Sequence, residues 1–275
     1  MKKINIILGI LVIIMLFGGK APVIGREASA MPSMVERNLT GLSLVGHLDT
    51  QGQAVDVVVQ GNYAYIADYY ALRIIDIADP TVPVEVGSYA ASLRIENIAV
   101  AGNYVYFAEV YAFKILDVTN PALPSLVGQV SLKLPDGIAV EGNYAYVVEW
   151  DYDNADLYRL VVIDISNRSA PSKIKSLNFY SDPTRDVDVA GSYAYVAQEA
   201  QGLRVIDISD PVNAVEVGHY DTPNYSMGVI ISGHYALLSE SAGLRIVDIT
   251  NPNAPSFVSS LDMPYAQALD WVVIS

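Results

Sequence analysis

One run of sequence occurs five times in this chain, and that repetition limits the possible folds more than any other feature. The copies read GNYAYIADYYALRIIDIADP from Gly61, GNYVYFAEVYAFKILDVTNP from Gly102, GNYAYVVEWDYDNADLYRLVVIDIS from Gly142, GSYAYVAQEAQGLRVIDISDP from Gly191 and GHYALLSESAGLRIVDITNP from Gly233. The leading glycines are 41, 40, 49 and 42 residues apart. A near-constant period of this size, filled with strand-like residues, is the mark of an architecture in which each unit packs only on its neighbours.

Each period holds four strand signals, a to d. Strand a is a valine-rich run such as AVDVVVQ from Ala54, apolar on both faces, as expected of a strand covered on both sides. Gly-Asn or Gly-Ser follows, residues that accept the positive φ of a tight hairpin turn. Strand b carries Tyr-x-Tyr at 63/65, 104/106, 144/146 and 193/195. Residues two apart share a face, so these pairs are expected to pack against a neighbouring sheet. Strand c, LRIIDI at Leu72 and its counterparts, stops at Asp79-Pro80, Asn120-Pro121, Asp210-Pro211 and Asn251-Pro252. Proline has no N–H for a ladder, so these are strand ends. Strand d opens with a second proline at 83, 124, 171 and 255, which suits an outer edge. Four antiparallel strands per period of about 40 residues is a β-propeller blade.

The runs LxIxD in strand c and GNYxY before it resemble the LVIVD-repeat family of exported bacterial and archaeal proteins, over Leu42 to the C-terminus. That resemblance implies an all-β, propeller-like fold and a place at the cell surface, and it says little about activity.

LSLVGHLD from Leu42 aligns with strand d, and ALDWVVIS from Ala268 with strand a. The expectation is five complete blades plus a partial one, with 42–49 packing beside 268–274. The chain then reads as cut within a blade, and the full-length protein as having six or more. Ahead of the repeats, Lys2 and Lys3 precede the apolar run Ile4 to Phe17, and Ala28-Ser29-Ala30 offers a small-residue cleavage site. Residues 1–30 are therefore expected to be a secretory signal peptide and 31–41 a linker, leaving 42–275 as the exported propeller.

The formal charge is −14, with no basic cluster in the repeats, which excludes a nucleic-acid surface. There is no cysteine, and hence no disulfide, thiolate metal site or cysteine nucleophile. No Gly-x-Ser-x-Gly, Walker loop or His-Glu-x-x-His occurs.

Three constellations remain. Seven residues past each glycine lies an acid, Asp68, Glu109, Glu149 or Glu240, with Gln198/Glu199 in the fourth repeat. Five or so residues later comes Arg73, Lys114, Arg204 or Arg245, so exposed hairpin ion pairs are expected. The third repeat carries an insertion, and Glu149, Trp150, Asp151, Tyr152 and Asp153 there form the candidate binding site. Insertions into one repeat fall in loops on a face, often the binding face. Acids beside aromatic rings suit a carbohydrate through Trp150 and Tyr152. Lastly, Asp56, Asn97 and Asp186 open strand a at the channel mouth, the alternative site for a divalent cation such as Ca2+ in a propeller hydrolase. The leading expectation is a non-enzymatic, exported or cell-surface module that binds a protein or a surface glycan, with no cofactor.

Overall fold

The computed structural model describes residues 3–7, 44–154 and 156–262. Apart from one short helical turn at Pro211–Asn213, its regular structure is all strand. β1 (Lys3–Ile7) and β2 (Leu44–Asp49) form an antiparallel pair, and the next twenty strands form five sheets. Blade 1 comprises β3 (Ala54–Gln60), β4 (Tyr63–Asp68), β5 (Ala71–Asp76) and β6 (Val84–Ala90). Blade 2 comprises β7 (Ile95–Ala101), β8 (Tyr104–Glu109), β9 (Ala112–Asp117) and β10 (Ser125–Ser131). Blade 3 follows with β11 (Leu134–Glu141), β12 (Tyr144–Trp150), β13 (Leu157–Asp164) and β14 (Ser172–Tyr180). Blade 4 holds β15 (Thr184–Ala190), β16 (Tyr193–Gln198), β17 (Gly202–Asp207) and β18 (Val215–Tyr220). Blade 5 holds β19 (Ser226–Ser232), β20 (Tyr235–Glu240), β21 (Gly243–Asp248) and β22 (Ser256–Asp262). Every blade is an antiparallel a-b-c-d meander.

The a strands β3, β7, β11, β15 and β19 lie side by side in that order on the inside of a ring. The d strands form the rim, and β22 is exposed along its whole length. The turn glycines 61, 102, 142, 191 and 233 all have φ of 58 to 59° with open space where a Cβ would be, so conformation alone selects them.

Four apolar seams join consecutive blades. Each takes one Tyr-x-Tyr face against the strands a and b of the following blade: Tyr65 between blades 1 and 2, Tyr106 between 2 and 3, Tyr146 between 3 and 4, Tyr195 between 4 and 5. The tyrosines are inter-blade packing, as expected. Burial pushes the Tyr146 hydroxyl up to about 12. Arg168 donates to the Tyr106 hydroxyl at 3.1 Å and covers the Tyr104 ring at 4.4 Å.

Backbone close approaches lock the rim, among them that at Gly128, where a Cβ would stand 2.1 Å from the Arg168 carbonyl oxygen. In strand d, a Cβ on Gly87 would stand 2.0 Å from the Pro121 carbonyl oxygen of the next blade, and one on Gly218 would stand 2.1 Å from that of Pro252. Gly46 in β2 bears the same relation to Pro80, at 2.1 Å, and Leu48 packs on the apolar face of blade 1. β2 is therefore docked on blade 1 as a d strand is on its successor. Its hydrogen-bonded neighbour among the described residues is β1, in the register Lys3 to Asp49. Residues 268–274, expected beside 42–49, lie outside the described residues, as do most of 1–30 and all of 31–41.

Candidate functional site

The residue seven places after each turn glycine is buried, not exposed as the hairpin-pair expectation had it. Asp68, Glu109, Glu149, Gln198 and Glu240 are each 2 to 3 % exposed. The physical reason is the connection that arrives from the preceding strand d, whose backbone crosses this point and needs hydrogen-bond acceptors. Asp68 accepts from Gly52 N at 2.9 Å and Thr50 Oγ1 at 3.1 Å, and Glu109 from Ser92 N at 2.8 Å and Leu93 N at 2.9 Å. Glu149 accepts from Lys133 N at 2.9 Å, and Glu240 from Asn224 Nδ2 at 3.1 Å. A base closes each clasp: Arg73 on Asp68, Lys114 on Glu109 at 2.5 Å, Arg245 on Glu240. In the third repeat, where Val161 replaces the base, Arg159 reaches Glu149 at 3.4 Å from two residues away on the same strand face.

Blade 4 inverts the pattern. Ser181 is left-handed at φ 76°, and the incoming loop presents carbonyls instead of amides. Gln198 donates its Nε2 to Asp182 O at 3.1 Å and accepts from Arg204 Nε at 3.1 Å. The acid, displaced one place to Glu199, takes Arg185 Nε at 2.7 Å.

The inserted loop of blade 3 divides the expected site. Asp151 is 1 % exposed and held by Lys133, Arg159 and Asn154, the last at 2.7 Å. Lys133 foremost keeps its carboxyl well below the usual carboxylate range. Asp153 lies outside with Lys133 at 2.5 Å, and Tyr152 meets Tyr111 edge-on at 6.3 Å with Lys133 over its ring. Glu149 and Asp151 thus brace the loop. Trp150 alone of the five turns to a cleft, 41 % exposed and stacked on Tyr158 at 6.4 Å and 22°.

That cleft, about 320 Å³, spans blades 2, 3 and 4 where their inner strands begin. Each strand a carries a β-bulge near its start, one residue in for four of them and two residues in for β11. In blades 2 to 4 the residue there is Glu96, Asp136 or Arg185, all lining the cleft; in blades 1 and 5 it is Val55 or Met227. Arg94 donates to Glu96 at 2.6 Å, and Arg185 lies 3.8 Å from Asp136. Burial raises the Glu96 carboxyl despite Arg94. Thr184 also lines the cleft, and its buried Oγ1 has no hydrogen-bond partner. Sequence reasoning passed over these residues. The signal was present one place before Asn97, Gly137 and Asp186, where three consecutive repeats turn polar.

Asp56 and Asp186 sit just inside, buried, and their carboxylates fasten neighbouring strands. Asp56 accepts from Val57 N at 2.7 Å and from Ile98 N of blade 2 at 2.8 Å. Asp186 accepts from Val229 N of blade 5 at 2.8 Å and from Val187 N, and burial raises it well above the usual range. Gly137 and Gly228, which interrupt the ring of acids, do so for space. A Cβ on Gly137 would stand 2.5 Å from Asp186 Cα, and one on Gly228 would stand 2.7 Å from Ser239 Oγ. Asn97 is buried at the matching place in blade 2. Among the described residues, no group of three His, Cys, Asp or Glu side chains is arranged to hold a metal ion.

Five four-stranded antiparallel sheets ranged round an axis, seam to seam, are a β-propeller. The LVIVD repeat matches residues 51–91, 95–131, 136–178, 183–222 and 223–263, so the chain belongs to the LVIVD-repeat family. Comparison with curated proteins yields no match. Among solved structures, the chain is similar to one in the Mitotic Checkpoint Complex, at TM-score 0.66 and 10% identity, covering 85% of this chain and 74% of that one. It is similar to the computationally designed Ika8 protein at TM-score 0.59 and 9% identity, covering 80% of this chain and 64% of that one. For the WD40 domain of Neurospora crassa Pan2 the values are 0.55 and 13%, with 71% and 63% covered. The chain thus spans less than two thirds of the Ika8 and Pan2 chains. At these identities the likeness is one of fold. No helix among the described residues is long and apolar enough to cross a membrane.

Proposed function

We propose that this protein is a non-enzymatic binding module, exported and working at the cell surface, with its ligand surface on the face where the inner strands begin. The observation that carries the reading is the cleft over blades 2 to 4, whose wall combines an exposed tryptophan with a buried hydroxyl lacking a partner. Concave sites with an aromatic wall and a few convergent polar groups are where ligands bind. The residues that would have served chemistry have structural employment instead: Asp56 and Asp186 hold backbone amides, and the clasp acids hold incoming loops. Export rests on the basic start, the apolar run to Phe17 and the small-residue site at Ala30. Cleavage there would also take β1 off the edge of β2.

Two measurements test the reading. Mass spectrometry of secreted protein should find an N-terminus at Met31. A Ca2+ titration followed by calorimetry and by turnover of a chromogenic ester should leave both thermal midpoint and hydrolysis unmoved. Calcium-dependent hydrolysis abolished by chelation, and by Asp186→Asn at unchanged fold, would replace the binding module with a propeller hydrolase.

A further inference from the structure

We propose that the cleft is a carbohydrate subsite that stacks an uncharged pyranose ring on Trp150. This rests on the reading of the protein as a binding module and names the ligand class for that same site.

The charges of the cleft discriminate among ligands. Its cations are already matched: Arg94 to Glu96 at 2.6 Å, and Arg185 to Glu199 at 2.7 Å with Asp136 at 3.8 Å. A phosphate or uronate would have to displace a carboxylate from an arginine and leave that carboxylate unpaired. A sugar hydroxyl both donates and accepts, so it can bond the guanidinium and the carboxylate of one pair without breaking it.

The aromatic wall supplies the second requirement. Trp150 is held by its stack on Tyr158 yet remains 41 % exposed, and both rings line the cleft. The C–H face of a pyranose is apolar and fits such a wall, while its equatorial hydroxyls reach the bulge residues at the floor. A space of about 320 Å³ is at the small end for ligand sites, enough for one or two rings and too little for a folded protein element.

The third observation is Thr184. The residue is 4 % exposed, and its Oγ1 is buried without a partner. In the equivalent place, opposite the clasp residue of strand b, blades 1 to 3 have Ala54, Ile95 and Pro135. Ser226 of blade 5 also brings a hydroxyl, which pairs with Thr222 Oγ1 at 3.0 Å. Buried hydroxyls are ordinarily bonded, and one kept unbonded in a ligand-sized cleft is a partner for a hydroxyl brought in from outside.

The test uses the full chain and two kinds of probe. Maltose, cellobiose and N,N′-diacetylchitobiose are titrated while following tryptophan fluorescence and heat, with digalacturonate and ATP as charged controls. At least one neutral disaccharide should saturate the protein. Trp150→Ala and Thr184→Val should each weaken it by about tenfold or more, and Tyr70→Ala, an exposed ring on blade 1, should not. Binding to envelope fragments treated with periodate, which cleaves sugar diols, or with protease is measured alongside. Loss with periodate alone supports the sugar. Loss with protease alone, with Trp150→Ala still defective, overturns the sugar and leaves the binding module standing. Preference for digalacturonate or ATP also overturns it. No binding to any sugar or to untreated fragments overturns both readings.

Discussion

Glu199 accepts the Arg185 Nε–H at 2.7 Å, whereas the acid one place earlier in each of the other four hairpins holds an incoming loop. A shift of one residue in an extended chain moves a side chain to the other face, and here it carries a carboxylate from the clasp to Arg185, which lines the cleft. Arg185 is 39 % exposed, so the pair contributes little to stability, about 0–1 kcal/mol. Glu199→Gln should leave the denaturation midpoint within that margin while taking the nearer of two carboxylates from Arg185, with Asp136 remaining at 3.8 Å. The variant is expected to gain affinity for digalacturonate, measured by calorimetry, that the parent lacks.

Asp68 has a buried carboxylate that serves Gly52 N, Thr50 Oγ1 and Arg73 together. Asp68→Ala leaves the Gly52 amide and Arg73 Nε without their acceptor while Glu85 still holds Arg73 Nη1, at a cost of about 1–3 kcal/mol for each orphaned donor. Asp153→Ala, with 61 % of its side chain exposed, should cost no more than about 0.5 kcal/mol. Urea denaturation of the two variants side by side checks the contrast.

Asp186→Ala removes the acceptor of Val229 N and Val187 N together, and the buried amides are left unpaired. The expected loss is about 2–6 kcal/mol, at about 1–3 kcal/mol for each orphaned donor. Asp186→Asn keeps one oxygen and should lose about half as much. Hydrogen exchange should place the loosening at the seam between blades 4 and 5.

Asp151 supplies a pH dependence. Its carboxyl is held down by Lys133, Asn154 and Arg159 relative to an ordinary value of 3.8. A depressed acid stabilises the fold above its unfolded value, and the contribution fades as pH falls below that value towards the folded one. The stability gap between the parent and Asp151→Asn should therefore be constant from neutral pH to about pH 5 and narrow below about pH 4. A gap that widens on acidification would contradict the assignment.

Gly46→Ala tests the docking of β2. Its Cβ would fall 2.1 Å from Pro80 O, as the Cβ of Gly87→Ala would fall 2.0 Å from Pro121 O. Both should destabilise by about 1–3 kcal/mol or more through overpacking. If Gly46→Ala is silent while Gly87→Ala is not, β2 is not seated on blade 1 in solution.

The fold was legible because its determinants are local and repeated. Gly61 and its counterparts mark turns by their backbone needs alone, and Tyr65 and Tyr106 mark seams by alternation. The site was half legible. Trp150 was identified from the insertion around it, but its neighbours Asp151 and Glu149 became structural once their burial was seen. Spacing does not tell a buried clasp from an exposed pair, because the difference lies in where a preceding loop crosses. Nor could the sequence disclose that Ser181 turns left-handed and presents carbonyls, the circumstance that makes glutamine suit position 198. The polar residues Glu96, Asp136 and Arg185 stand at bulges in three consecutive inner strands that the ring sets side by side.

The ties between blades described above all reach one blade along: Asp56 to Ile98, Asp186 to Val229, Gly87 to Pro121, Gly218 to Pro252. A duplicated stretch of about 41 residues therefore brings with it both the outgoing and the incoming half of a joint. Genes of this kind can lengthen or shorten by whole units without new residues having to arise at the junction. The cleft does not share that freedom, since it draws different residues from each of three successive copies, and a duplication falling among them would scatter it.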